Sequence, residues 1–162
     1  MSAIISLVLV AVLVCADQLI KLAVETYLAP VGEMGFIDGF IGWRYVQNTG
    51  AAFGIMSGKT ELLSLVTGIV LAVGIVLIAM RKIKPKFYLV CAVMVVSGGI
   101  GNLIDHIAKG YVVDYIEFQF MDFAVFNFAD ILITCGAAMV IIRLIVETVA
   151  DIKRKPNGDA DE

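Results

Sequence analysis

Charge is scarce in this chain. Only 17% of its 162 residues are Asp, Glu, Lys or Arg, against 60% hydrophobic residues and a mean hydropathy of +0.96. That balance excludes an ordinary soluble globular domain. Histidine occurs once, as His106, so no multi-histidine metal site can be built, and neither a metal nor another cofactor is expected. The three cysteines, Cys15, Cys91 and Cys135, lie inside apolar runs, where Cys packs in the core as a small hydrophobe rather than forming disulfides. No Pro/Ser-rich linker or charge block interrupts the chain, so residues 1–152 read as one domain, followed by a polar tail over 153–162. The net charge of −3 is small and the basic residues are scattered, which excludes a nucleic-acid partner.

What is present is four apolar runs, each judged against the ~20 residues that cross ~30 Å of hydrocarbon. They predict an all-α membrane protein with four transmembrane helices at about 3–24, 62–81, 87–106 and 127–149. Arg81, Lys82, Lys84 and Lys86 crowd the second connection, and Lys153, Arg154 and Lys155 follow the last helix. Lys and Arg are retained on the cytoplasmic side, so both termini are expected inside and the connections Glu25–Glu61 and Ile107–Phe126 outside. The N-terminal run lacks a basic n-region and continues into Asp17 and Lys21 without a small-residue cleavage site, so it is expected to be kept as helix one. LVCA around Cys15 loosely resembles a lipoprotein lipidation site, but Val14 is too bulky for the position before the cysteine.

The outer connections carry their own pattern. FIDGFIGWRYVQN places an Asp-Gly turn signal between aromatic and β-branched residues, predicting a small hairpin. YVVDYIEFQF partly alternates polar and apolar residues, as a half-immersed extended segment would. Trp43, Tyr45, Tyr111 and Tyr115 suit interfacial anchoring. NTGAAFG, from Asn48 to Gly54, is built of small residues that allow close backbone approach.

The polar residues set among these apolar ones are the candidates for function. Asp105 follows Lys86 by 19 residues, ~28 Å across, and Asp130 precedes Arg143 by 13, ~20 Å from the inner side; both counts point to the outer half of the bilayer. Asp17 and Lys21, one turn apart, read as a structural ion pair. Asn102 and Asp105 follow SGGIG, whose glycines permit close helix contact, and suit support or substrate contact. His106 at the boundary reads as solvated, and Glu117 and Asp122 as wet loop acids. Asp130, paired with Asn127 at i,i+3, and Asp114 in VVDY remain as the carboxylates able to meet near the outer face.

Two carboxylates close together in a low dielectric cannot both ionise easily, so they share a proton. One can then take a proton from a water attacking a peptide carbonyl while the other supplies one to the leaving amine. A Ser-Lys arrangement would need Ser57 beside Lys21, and a Cys-His pair is contradicted by the depth of the cysteines. An ion channel or proton-coupled transporter lined by Asp105, Asp114 and Asp130 is the alternative. It would need polar residues in the inner half, where Leu62–Met80 offers almost none. A non-enzymatic assembly subunit would use the carboxylates only as buried pairing groups.

Taken together, DQLIK (Asp17–Lys21), NTGAAFG, GGIGNLIDH (Gly98–His106), VVDY and FNFAD resemble the bacterial lipoprotein signal peptidases (signal peptidase II) in order, spacing and depth, from helix one to helix four. The resemblance implies an aspartic endopeptidase that removes the signal peptide of diacylglyceryl-modified prolipoproteins just before the lipidated cysteine. It implies a bacterial inner-membrane location with the active site near the extracytoplasmic face, contact with membrane lipid, and inhibition by globomycin; a monomer is the expectation. By position it implies Asp114 and Asp130 as the catalytic dyad, with Asn48, Gly99, Asn102, Asp105, Asn127 and Ala129 shaping the site and Asp17 and Lys21 bracing it. The family usually carries Arg where this chain has His106, and His lacks Arg's bidentate fork; a contact made there by Arg does not carry over.

Overall fold

The structure, a computed structural model, describes residues 2–49 and 60–154. Gly50–Gly54 of the small-residue motif, Ser57, Lys59 and the tail from Lys155 lie outside the described residues. The chain builds α1 (Ala3–Ala23), continued by a π-helical turn (Val24–Leu28), then β1 (Glu33–Ile37), β2 (Ile41–Asn48), α2 (Thr60–Ala79), α3 (Lys86–Lys109), β3 (Val112–Phe118) and α4 (Phe128–Arg154). α4 runs five residues past the end expected from the sequence. The spans Ala3–Leu28, Lys86–Lys109 and Phe128–Lys153 are long and apolar enough to cross a membrane, and Leu65–Ala79 is a shorter apolar helix.

Local chemistry sets the ends of these elements. Ser2 caps α1 by accepting the Ile5 N–H at 3.2 Å. The π turn closes with Ala29 N–H donating to the Val24 carbonyl at 2.9 Å, and Gly32, at φ 86°, releases the chain into β1. The expected hairpin forms between β1 and β2. Its turn uses Gly39 at φ 71° as the one left-handed residue, with Phe40 N–H donating to the Ile37 carbonyl. A two-residue type I′ turn would need positive φ at Asp38 as well. The segment VVDYIEF joins as β3, giving an antiparallel sheet of order β1-β2-β3.

Helix α3 packs against the other three helices. Small residues let the backbones close: a Cβ at Gly98 would run into the Ala129 carbonyl, and one at Gly101 into the Asp17 carboxylate. Two apolar clusters result. Val10, Ile78, Leu89, Val93 and Val96 fill the bundle near the α2–α3 connection, and Leu28, Val113 and Tyr115 lie beneath the sheet. Along α1 and α3 the polar residues fall between these clusters. The burial pattern is inverted relative to a soluble protein: Lys21 is 1% exposed and Asp17 0%, while Ile4 is 75% and Ile107 72% exposed. Such an arrangement is stable where the surrounding medium is hydrocarbon.

Three expectations are corrected here. Of the cysteines only Cys91 is in the core; Cys15 and Cys135 are exposed on the outside of the bundle, where lipid covers a thiol as well as protein does. Tyr115 is no interfacial anchor: it is 2% exposed, and its hydroxyl accepts the Phe128 N–H at the start of α4. His106 is half-buried rather than solvated, and its Nδ1 is enclosed with no hydrogen-bond partner among the described residues.

Candidate active site

Asn127 is the hinge of the polar layer. As N-cap of α4 it accepts the Asp130 N–H on its Oδ1 at 2.9 Å, while Asp130 Oδ2 accepts the Asn127 N–H at 3.0 Å. This reciprocal capping box, with Asp in place of Glu, holds the Asp130 side chain through helix-end chemistry. The same Asn127 donates through Nδ2 to Asp114 Oδ1 at 2.6 Å. One amide therefore joins the start of α4 to the middle of β3 and brings both expected carboxylates to one place.

The remaining carboxylate oxygens are also held. Asn48 Nδ2 donates to Asp114 Oδ2 at 3.0 Å. The register makes this possible, since Asn48 pairs with Val112 and Val46 with Asp114, so residues 48 and 114 are diagonal neighbours on one face of the sheet. Asn102 Nδ2 donates to Asp130 Oδ1 at 2.8 Å. Asp114 is 2% and Asn127 0% exposed, whereas Asn48, Asn102 and Asp130 are half-buried. The cluster thus opens at Asp130 and closes at Asp114. Burial pushes the Asp114 carboxyl up to about 6, against the hydrogen bonds from Asn48 and Asn127, and the charge of Asp130 pushes in the same direction.

Lys21 lies behind this pair. Its ammonium meets Asp17 Oδ2 at 3.0 Å, Asp105 Oδ2 at 3.0 Å and Asn102 Oδ1 at 2.9 Å, three acceptors for three donors. Asp105 also accepts the Val113 N–H at 3.2 Å, tying α3 to β3, and meets Lys109 at 3.3 Å; Lys109 in turn pairs with Glu25 at 2.8 Å. The result is a chain of alternating charge, Glu25–Lys109–Asp105–Lys21–Asp17, with Asp105 at its centre. Asn102 relays it forward: its Oδ1 accepts from Lys21 and from Asn127, which orients its Nδ2 toward Asp130.

The expected residues do not all take part in the same way. Asp105 is 0% exposed; its Oδ2 meets Lys21 and the Val113 N–H and its Oδ1 faces Lys109, so it lies behind the carboxylate pair. Gly99 faces α2, where a Cβ would meet the Leu71 side chain. Ala129, 0% exposed, sits under it at the α3–α4 contact. Gly101, Gln18, Lys109 and Tyr115 are not among the site residues expected from the sequence, yet they hold the layer. Gln18 Nε2 bonds both Asp17 and the Gly101 carbonyl. The LIDHIAK spacing that puts Lys109 one turn after Asp105 was a usable signal; the others are visible only in three dimensions.

The profile of the family described as Signal peptidase (SPase) II matches residues 9–146. A lipoprotein signal peptidase of Caldanaerobacter subterraneus subsp. tengcongensis is 43% identical over 134 residues, covering 82% of this chain and 90% of that protein. One from Streptococcus pneumoniae is 33% identical over 144 residues, covering 88% and 93%. A bacterial membrane enzyme solved by the in meso method at 2.3 Å resolution superposes with a TM-score of 0.78 at 28% identity, covering 96% of this chain and 94% of that one. With most of its length matched in sequence and in fold, the chain belongs to the signal peptidase II family and is a membrane peptidase.

Proposed function

We propose that the peptidase is of the aspartic type, with Asp114 and Asp130 as its catalytic dyad, and that it removes the signal peptide of diacylglyceryl-modified prolipoproteins just before the lipidated cysteine. In this reading the chain crosses the bacterial inner membrane four times as a monomer, with both termini cytoplasmic and the dyad near the extracytoplasmic face. The observation that carries it is Asn127, which binds one oxygen of Asp114 and the main-chain and side-chain groups of Asp130. A carboxylate pair held on two elements by a shared amide is a preorganised acid and base.

The chemistry follows from the asymmetry of the pair. Asp130, at the open side, acts as the ionised base and takes a proton from water as its oxygen attacks the scissile carbonyl carbon. Asp114, whose burial favours the neutral form, hydrogen-bonds the carbonyl oxygen. As the tetrahedral intermediate collapses, a proton passes to the leaving nitrogen and the C–N bond breaks. Asn48 and Asn102 orient the two carboxyls, and the Asp17–Lys21–Asp105 triad fixes Asn102. Gly99 and Ala129 contribute through helix packing. A globomycin-type inhibitor would compete at the same opening. The transport alternative is disfavoured by the apolar inner half, where Val10, Ile78, Leu89, Val93 and Val96 pack together.

The test is cleavage of a purified diacylglyceryl-prolipoprotein by the detergent-solubilised wild type, Asp114→Asn and Asp130→Asn, followed as a gel shift. Loss of an acid or base group lowers the rate by about 10²–10⁴-fold, so both variants should be inactive while remaining folded. Full activity in either folded variant would remove the dyad and return the transport reading to be tested by ion flux in liposomes.

A further inference from the structure

At the end of the bundle opposite the sheet, the first turn of α1, the α2–α3 connection and the first turn of α3 enclose a cavity of about 350 Å³. Its wall includes Ala3, Ser6, Arg81, Lys84 and Lys86. Three cations thus surround one opening, and none of them forms an ion pair among the described residues, whereas Lys21, Arg44, Lys109 and Arg143 are all paired. Helix α3 begins here at Pro85, which supplies no side-chain cap, so its first-turn N–H groups add to the positive potential.

The backbone at Arg81 gives a second, independent reason to regard the charge as functional. Arg81 N–H donates to the Ile78 carbonyl and Lys82 N–H to the Leu77 carbonyl. This is the Schellman closure of α2, with Arg81 in its left-handed position at φ 56°. Glycine is the least strained residue there, and the chain holds a guanidinium instead. Apolar side chains line the same opening: Ile78, Ile83 and Leu89. A ligand matching this site has an anionic head and hydrocarbon tails.

We infer that this cavity is a binding site for the phosphodiester headgroup of an anionic phospholipid in the leaflet at the α1 N-terminal end, with Arg81, Lys84 and Lys86 as its anion ligands. Both Arg81, through a planar fork, and the lysines, as point charges, suit a phosphate. A bound lipid joins α1, α2 and α3 where the bundle has no polar layer of its own. The dyad plays no part in it.

The test uses the full-length protein in a fixed detergent, with the unfolding midpoint measured after adding phosphatidylglycerol, phosphatidylcholine or inorganic phosphate. Phosphatidylglycerol should raise the wild-type midpoint by about 3 °C or more, and the other two should not. Arg81→Gly should lose that rise without unfolding earlier in the absence of lipid, because glycine relieves the left-handed backbone. Lys84→Gln with Lys86→Gln should also lose it. An equal rise with phosphatidylcholine would make the effect generic, and one with inorganic phosphate would assign the cavity to free anions. A rise retained in Arg81→Gly would remove the proposed ligand; any of the three overturns the inference.

Discussion

At the sheet end of the bundle Lys21 is 1% exposed and meets three acceptors; at the opposite end Arg81, Lys82, Lys84 and Lys86 are exposed and no ion pair holds them among the described residues. The same chemical group is managed in two ways because its surroundings differ. Between helices an unpaired charge is prohibitively costly, so every cation there is matched atom by atom. At the basic end water and headgroups can serve as partners. The comparison teaches that charge pairing in this fold follows depth, and it can be broken by removing cations at each end.

The largest effect is expected at Lys21. Lys21→Met keeps the volume but leaves Asp17 and Asp105 buried without their shared cation, which costs about 3–5 kcal/mol, enough to lose most of the folded protein. Lys84→Met, on the basic end, should change stability by no more than about 0.5 kcal/mol. Thermal unfolding of the two purified variants in one detergent, without added lipid, reads both. Similar losses at the two ends would mean that depth does not govern pairing.

How much of this contrast could be read from the chain depends on how local each signal is. The basic α2–α3 connection, the apolar runs, the Asp38–Gly39 turn and the i,i+4 spacing of Asp17 and Lys21 are all local, and the structure reproduces them. The Asn127–Asp130 relation was visible as an i,i+3 pair and becomes a capping box once Asn127 is the N-cap. Lys21 meeting Asp105 and Asn102 was not legible, because residues 81 and 84 positions away come together only through α1–α3 packing at Gly101. The exposure of Cys15 and Cys135 was missed for the complementary reason: an apolar helix in lipid does not reveal from composition which face is inward. Tyr115 was misplaced because an aromatic near an interface looks alike whether it anchors in lipid or caps a helix.

A smaller effect separates the two carboxylate environments by pH. The Asp114 carboxyl titrates at about 6 in the folded chain against 3.8 when free, so the folded state binds the proton more tightly. The stability this contributes is fully present below about pH 4 and is lost as pH rises through about 6, amounting to about 2–3 kcal/mol. Asp114→Asn removes the titrating group, so its stability should vary less over that window and exceed that of wild type at pH 7. The gain is reduced because Asn48 and Asn127 both donate to this side chain and an amide can accept at only one atom. Unfolding curves at pH 4, 5, 6 and 7 decide it, and parallel profiles for the two proteins would refute the assignment. A variant that is inactive and yet no less stable is the signature of a site whose burial costs the fold.

The smallest effect is expected at Arg44, which pairs with Glu117 across β2 and β3 at 2.8 Å. This bond is at least as short as those that Lys21 makes in the buried layer, and the Glu117 carboxylate is the main cause of a raised guanidinium pKa. Arg44 is nonetheless 54% exposed. Water solvates both partners when the pair opens, and salt screens them. Arg44→Ala should therefore cost about 0–1 kcal/mol, with the difference from wild type shrinking as salt is raised. A shorter bond at Arg44 than at Lys21 with a smaller cost would isolate burial, rather than geometry, as the source of the difference. A loss at Arg44 approaching that of Lys21→Met, or one insensitive to salt, would mean that the sheet lies in a medium as dry as the helix interior, and the division of this molecule by depth would have to be redrawn.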